Sequence, residues 1–431
     1  MTPPRVDMRR TLALLLAGGE GSRLNCLVHR RAKPAVPFGA IYRIIDFALS
    51  NVMHSGLERV GILTQYMPYS LSDHIGTGES WGMIGRNREA RILPPHLGQR
   101  ASDWYRGTAD AIYRNLSYID RYNSDLCLIL SGDHVYQMDY APMVAEHIRA
   151  GADATIAVRE IPIEEASSFG TVLVDSTDRI TGFEEKPEKP RSGLISMGIY
   201  VFSRKVLVRE LEEIVGHQGL TDFGKHIFPA MLEEGCHLQA FRFRGYWQDV
   251  GTIRAYFESH MEMLAPDSPI DLERWRVRTN RNEETPGDRQ PARFDPSAHV
   301  ERSIIAAGTR IAGDVRNSIL SPGVVVEAGA VVERSVLMHD TRIGARAHLR
   351  DAILDKQVEI GPEAVVGGIG DMVPNRRFPT HLDSGQVLIG KGARVPAGAV
   401  IERNTILFPD VSIPRTAGTV HSGETIGDLD P

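Results

Sequence analysis

Residues 11–34 read TLALLLAGGEGSRLNCLVHRRAKP. The apolar run Leu12 to Ala17 is long enough for one buried parallel strand, and it breaks into Gly18, Gly19, Glu20, Gly21, Ser22 and Arg23. Glycine tolerates positive φ and lets backbone N–H groups approach a ligand closely. A strand feeding such a turn therefore makes a cradle for phosphate oxygens. The spacing is neither the dinucleotide fingerprint nor a P-loop, since no Gly-Lys-Ser/Thr follows. From Arg23 to Arg43 the chain carries Arg23, Arg30, Arg31, Lys33 and Arg43 and no carboxylate, so a polyanionic ligand is expected. The alternative is an ordinary βα turn beside a solvated basic face.

Outward from this stretch, Val60–Thr64, Leu126–Leu130, Ala154–Val158 and Ile199–Phe202 are strand-like, and 109–122 and 140–150 carry helical periodicity. Alternating elements of this kind predict a mainly parallel sheet covered by helices on both faces, with ligands at the carboxyl ends of the strands. After Phe257 the texture changes. Prolines 266, 269, 286, 291 and 296 stand among charged residues, as in an interdomain connection.

A repeat follows. Ser318-Ile319-Leu320, Ser335-Val336-Leu337 and Ala352-Ile353-Leu354 recur every 17 residues, and Ser303-Ile304-Ile305 precedes them by 15. Within a coil aliphatic residues step by six: Leu320, Val326, Val332, then Leu337, Ile343, Leu349, then Leu354, Ile360, Val366. This predicts a hexapeptide-type parallel β-helix. The step resumes at Ile389, Val395 and Ile401 after an irregular 367–386. The expected organisation is an α/β domain over 1–257, a connection over 258–295, a β-helix over 296–405 and a tail over 406–431 with little pattern.

Composition narrows the function classes. With 431 residues, 42% hydrophobic, the chain has room for two or three globular cores. A net charge of −6 and a pI near 6.2 give no global field for nucleic acid, so any anion site is local. Cys26, Cys127 and Cys236 lie too far apart for a disulfide framework or zinc site, which points to a reducing, cytoplasmic compartment. Arg9 and Arg10 before Leu12–Ala17 imitate a signal peptide, but the apolar run is too short and enters a charged loop. No segment has the apolar length of a membrane helix.

Three further constellations carry chemistry. Asp133, in Gly132-Asp133-His134, and Asp249, in YWQDVGT, sit at expected strand ends. Two such carboxylates suit Mg²⁺ bridging phosphate oxygens, although an N-cap and a turn are equally open readings. Glu184-Glu185-Lys186-Pro187 offers a lysine for phosphate and a carboxylate for sugar hydroxyls, or an exposed charged turn. Trp104-Tyr105-Arg106-Gly107-Thr108-Ala109 places aromatics at a helix start.

Taken in order, LAGGEGSRL, RRAKPAVPFG, RIIDFALSN, TQY, WYRGTADA, GDHVY, GFEEKP, SMGIYVF, DFGK and YWQDVGT resemble the bacterial ADP-glucose pyrophosphorylases over almost the whole chain. The resemblance implies an α/β, Rossmann-like nucleotidyltransferase domain followed by a left-handed parallel β-helix. It implies adenylyl transfer from ATP to α-D-glucose 1-phosphate, giving ADP-glucose and pyrophosphate for glycogen synthesis. By the same resemblance Leu16, Ala17, Gly18, Gly19, Arg23 and Lys33 bind the nucleotide, Lys33 stabilising developing charge. Asp133 and Asp249 hold Mg²⁺, and Tyr105, Gly170, Glu185, Lys186 and Ser196 bind glucose 1-phosphate.

Family members are homotetramers regulated by sugar phosphates and adenylates. The resemblance assigns Arg30, Arg31 and Arg43 to effector binding and Gln65 and Trp104 to its communication. Arg30 stands where some relatives carry lysine, and Pro37 and Ala40-Ile41 also depart from the pattern, which leaves effector identity open. Three other readings stay open at this stage: a nucleotidyltransferase using UTP, dTTP or GTP, a non-catalytic regulatory subunit, and an acyltransferase working on the β-helix.

Overall fold

The computed structural model describes residues 6–95, 104–281, 289–414 and 418–428. Contacts within the chain separate two units, Met1–Gly19 with Ile45–Trp247, and Glu20–Ile44 with Gln248–Pro431. This division differs from the expected one at 257, because residues 20–44 group with the C-terminal half. The glycine-rich loop thus passes from one unit to the other between Gly19 and Glu20.

In the first unit a nine-stranded sheet runs Ile180–Glu185, Gly170–Val174, Leu194–Ser203, Leu126–Ser131, Thr11–Leu16, Arg59–Leu63, Glu89–Leu93. Ala154–Glu160 pairs with Leu194–Ser203 and carries Leu238–Arg242 beyond it. All five strands read from the sequence are present. Leu12, Ala13, Leu14 and Leu15 are buried on both faces, as a central strand between two parallel neighbours requires. The helices Thr108–Tyr113, Leu116–Asp120 and Ala141–Ala150 lie where periodicity placed them.

The sheet is mixed rather than mainly parallel. Leu194–Ser203 runs antiparallel to both Leu126–Ser131 and Ala154–Glu160. Gly170–Val174 and Ile180–Glu185 are also antiparallel. Asp175 Oδ1 accepts from the Thr177 and Arg179 amides, closing a turn too short for the crossover that parallel neighbours need.

In the second unit the β-helix has three parallel sheets of six, seven and seven strands. The pairings Ile304 with Ile319, Ile319 with Val336, and Val336 with Ile353 reproduce the 15- and 17-residue steps of the sequence. Leu320, Val326, Val332, Leu337, Ile343 and Leu349 face inward as one buried column. The serines of the triplets also have a role. Ser303 Oγ accepts from the Ser318 amide, Ser318 Oγ from the Ser335 amide, and Ser335 Oγ from the Ala352 amide, at 3.1, 3.1 and 3.3 Å. This hydroxyl ladder pairs amides at a corner, where strand hydrogen bonding stops.

Two boundaries differ from expectation. The coils begin at Arg293–Phe294 and continue through Ile406–Leu407, Thr419–Val420 and Thr425–Ile426, so most of the expected tail is further β-helix. Leu407 and Ile413 continue the six-residue step from Ile401, and the step lengthens to seven before Val420, which interrupts the pattern in the tail. The connection over 258–295, of which 282–288 lie outside the described residues, begins inside the helix Ile253–Glu262 and buries Ile270 and Trp275. The irregular 367–386 forms a loop between coils. Asn375 Nδ2 donates to the Asn404 and Glu424 carbonyls, while Asn375 Oδ1 accepts from the Arg377 and Phe378 amides.

Candidate active site

In the first unit, the Ala17 amide donates to the Leu63 carbonyl and the Gly132 amide to the Leu16 carbonyl, each at 2.9 Å. Adjacent central strands therefore deliver Gly18 and Gly19 and the Gly132-Asp133-His134 turn to the same edge of the sheet. A Cβ at Gly18 would stand 3.2 Å from Gln65 Cβ, whereas one at Gly19 would meet nothing within 4 Å. Packing restricts position 18, and position 19 is open to solvent.

Asp133 accepts a hydrogen bond from the Ser131 hydroxyl and lies 3.4 Å from His134 Nε2. The His134 ring stands edge-on to Trp247, centroids 4.9 Å apart. Ser196 is carried to the same neighbourhood by a bulge. The strand Leu194–Ser203 shifts register between Ser196 and Tyr200, Gly198 adopts φ 70°, and a Cβ there would lie 3.4 Å from Ser131 Cβ.

Lys186 follows the strand Ile180–Glu185 with φ 49°, a left-handed conformation that costs a non-glycine residue about 1–2 kcal/mol. Strain of that kind concentrates at functional sites. Its side chain is 63% exposed, with Nζ 3.8 Å from Glu185 Oε1. Glu185 is more enclosed. A Cβ at Gly170 would come within 2.9 Å of Glu185 Oε2, and one at Gly224 closer still, so both glycines are needed for this carboxylate to fit. Burial raises the Glu185 carboxyl above its ordinary value, and the charge of Asp222 adds to the rise.

Tyr105 is held by its backbone and its hydroxyl. Its amide donates to Gln65 Oε1, and Gln65 Nε2 donates to its carbonyl at 3.2 Å. Its phenol donates to the Leu93 carbonyl and accepts from Asn115 Nδ2 at 3.0 Å. The hydroxyl is thus committed inside the fold. Gln65, expected to communicate activation, fixes this loop, and Trp104 beside it is exposed.

The second unit carries a cationic cluster of its own. Lys33 opens the short turn Lys33–Ala35, and its buried Nζ lies 2.8 Å from Asp249 Oδ1. Arg23 Nη2 lies 4.0 Å from Asp249 Oδ2. All three groups converge over Gly251. A Cβ there would fall 2.8 Å from Asp249 Oδ1, 2.9 Å from Lys33 Nζ and 3.2 Å from Arg23 Nη2. Gly21, at φ 66°, lets the loop pass close to Lys33. Asn25 is buried at φ 51°, with no partner for its Oδ1 among the described residues.

The basic residues expected at an effector surface divide. Arg30 is exposed and forms an ion pair with Asp410. Arg31 and Arg43 are instead buried. Arg31 makes a bidentate pair with Asp355, and Arg43 Nη1 donates to the Ala35 carbonyl at 3.3 Å. Both guanidiniums are engaged inside the fold, which their run of basic neighbours in the sequence did not show.

Sequence reasoning also missed Ser131, Asp222, Gly251 and Asp355. Gly251 lay inside the quoted YWQDVGT block. Close approach to three charged groups is the physical reason for a glycine there, and it shows only in three dimensions.

Residues 12–265 match the family model described as nucleotidyl transferase, and residues 290–389 match the GlmU-like C-terminal hexapeptide model, in keeping with a left-handed β-helix. The chain is 42% identical over 429 residues to a glucose-1-phosphate adenylyltransferase of Acetivibrio thermocellus, covering 97% of this chain and 99% of that one. It is 46% identical over 428 residues to that of Thermomicrobium roseum, covering 98% and 99%. With that of Thermotoga maritima it shares 48% identity over 330 residues, covering 76% and 77%. With a nucleotidyl transferase sheet, a hexapeptide β-helix and relatives of this identity along nearly its whole length, the chain belongs to the glucose-1-phosphate adenylyltransferase family.

Proposed function

We propose that this chain transfers the adenylyl group of ATP to α-D-glucose 1-phosphate, forming ADP-glucose and pyrophosphate for glycogen synthesis. The observation that carries this reading is the convergence of Lys33, Arg23 and Asp249 over Gly251. Two cations meet there on a loop that continues from Gly18 and Gly19, which suits a triphosphate. Lys33 Nζ is preorganised by Asp249 to meet charge developing at the α-phosphorus. Lys186 and Glu185 meet the sugar phosphate, the ammonium on phosphate oxygens and the enclosed carboxylate on hydroxyls. Ser196 and Gly170 shape that side, and Tyr105 walls it.

Nucleotidyl transferases of this family generally use a divalent metal. The carboxylates of Asp133 and of Asp249 are each hard oxygen donors of the kind Mg²⁺ takes, and the ion when bound would neutralise phosphate charge. The Ser131 hydroxyl orients the Asp133 carboxylate. The glucose 1-phosphate oxygen attacks the α-phosphorus in line and pyrophosphate leaves. No covalent enzyme intermediate is needed, so positioning and charge stabilisation supply the catalysis.

No helix among the described residues is long and apolar enough to cross a membrane. The reading places the enzyme in the cytoplasm as a homotetramer, responsive to anionic sugar phosphates and adenylates. Arg30 and Trp104 are the exposed residues that support such a response.

The test is pyrophosphate release with glucose 1-phosphate, Mg²⁺ and each nucleoside triphosphate in turn, with and without a panel of glycolytic intermediates and adenylates. Preference for ATP, altered by an effector, is expected. Preference for UTP, dTTP or GTP refutes the adenylyl reading, and no release with any of them makes the chain a regulatory subunit.

A further inference from the structure

The segment bearing Arg23 and Lys33 is anchored in the second unit by a charge pair that the reaction itself does not use. Arg31, two residues before Lys33, sends Nη1 to Asp355 Oδ1 at 2.9 Å and Nη2 to Asp355 Oδ2 at 3.1 Å. The two side chains are 5% and 2% exposed. Asp355 is held rigidly by its own coil. Its amide donates to the Ile389 carbonyl at 2.8 Å, its carbonyl accepts from Thr341 Oγ1 at 3.1 Å, and its Oδ1 accepts from the Lys356 amide at 2.7 Å.

A bidentate guanidinium–carboxylate fork fixes direction as well as distance, which a point charge does not. From this anchor the chain runs through Ala32, fully buried, into the turn at Lys33, whose Nζ lies 2.8 Å from Asp249 Oδ1. Lys33 is therefore constrained from its backbone side by the β-helix and from its head by Asp249.

We propose that Asp355, on the β-helix, is a positioning residue for the adenylyl transfer site, setting the place of Lys33 through the buried fork with Arg31. The inference rests on the reading of Lys33 as the group that meets the nucleotide phosphates. Asp355 touches no substrate. Its contribution is to keep the ammonium within the narrow range where it acts on the transition state, and a shift of about 1 Å there costs on the order of a hundredfold in rate.

The experiment compares Asp355→Asn, Arg31→Lys, the paired apolar replacement Arg31→Met with Asp355→Leu, and Lys33→Ala in the full-length enzyme. Each is assayed for pyrophosphate release and thermal unfolding. Removing one buried partner leaves an uncompensated charge, whereas replacing both with apolar residues is often neutral for stability. The expected result is a tenfold or greater loss of kcat and a raised KM for ATP in Asp355→Asn and Arg31→Lys, with the KM for glucose 1-phosphate within twofold. The paired replacement should unfold near the wild-type temperature and yet keep the kcat defect.

A role in folding alone would lower unfolding temperature and active fraction together, leave both KM values unchanged per folded molecule, and be repaired by the paired replacement. That pattern overturns the proposal. So does loss of activity in Lys33→Ala alongside normal kinetics in every Asp355 and Arg31 variant. Full activity in Lys33→Ala would overturn the reading of Lys33 first and the inference with it.

Discussion

Gly251→Ala is the sharpest perturbation of the phosphate-binding corner. The added methyl carbon would stand 2.8 Å from Asp249 Oδ1, 2.9 Å from Lys33 Nζ and 3.2 Å from Arg23 Nη2. Ordinary contacts to such a carbon begin near 3.4 Å. The Lys33 ammonium must therefore retreat by about half an ångström, and it cannot do so towards Asp249, already 2.8 Å away. Since misplacement by about 1 Å costs about a hundredfold, the expected loss in kcat lies between about tenfold and a hundredfold.

Stability should change little. Gly251 is not among the glycines of positive φ, so alanine fits its backbone, and the less flexible unfolded chain offsets part of the clash. Steady-state pyrophosphate release at saturating substrates, with a thermal melt in parallel, measures both quantities. A kcat within threefold of wild type, with the melt unchanged, would refute the argument that these three groups must occupy these places.

Other expectations test separate parts of the structure. Lys186→Ala should raise the KM for glucose 1-phosphate with little change in kcat or in the KM for ATP, because its exposed ammonium binds rather than reacts; substrate titrations decide it. Ser318→Ala removes the acceptor of the Ser335 amide in the hydroxyl ladder and should destabilise by about 1–3 kcal/mol in urea unfolding, leaving both KM values unchanged.

Acidity should act through two buried imidazoles. His147 and His260 are each lowered by burial from 6.5 to about 4. His260 Nδ1 donates to the Tyr256 carbonyl while its Nε2 accepts from the Gly39 amide, an arrangement that needs the neutral ring. A depressed imidazole contributes stability that is present above about pH 6.5 and lost as pH falls towards about 4. The loss is of order 3 kcal/mol per ring. Urea midpoints should fall through that window, and His147→Gln should flatten the fall.

The elements that periodicity can encode were legible in the chain. Aliphatic runs bounded by glycine and acid marked the central strands, and the six-residue step marked the coils down to their 15- and 17-residue spacing. Ordered motifs marked the residues about the phosphate loop. In each case the information is local: a side-chain type at a fixed distance along the backbone.

Tertiary structure alone decided the rest, because the deciding neighbours are remote in sequence. Arg31 and Arg43 look like solvated basic residues in the sequence, whereas both are buried and Arg31 meets a carboxylate 324 positions away. Gly251 looks like one glycine among 41 until Lys33, 218 positions earlier, is found over it. Beyond 405 Leu407 and Ile413 still continue the six-residue step from Ile401, but the spacing lengthens to seven before Val420, and stacking on earlier coils is what carries the β-helix past that break. Grouping of residues 20–44 with the C-terminal half follows from the same cause, since contact across the chain obeys packing and charge pairing and not order along it.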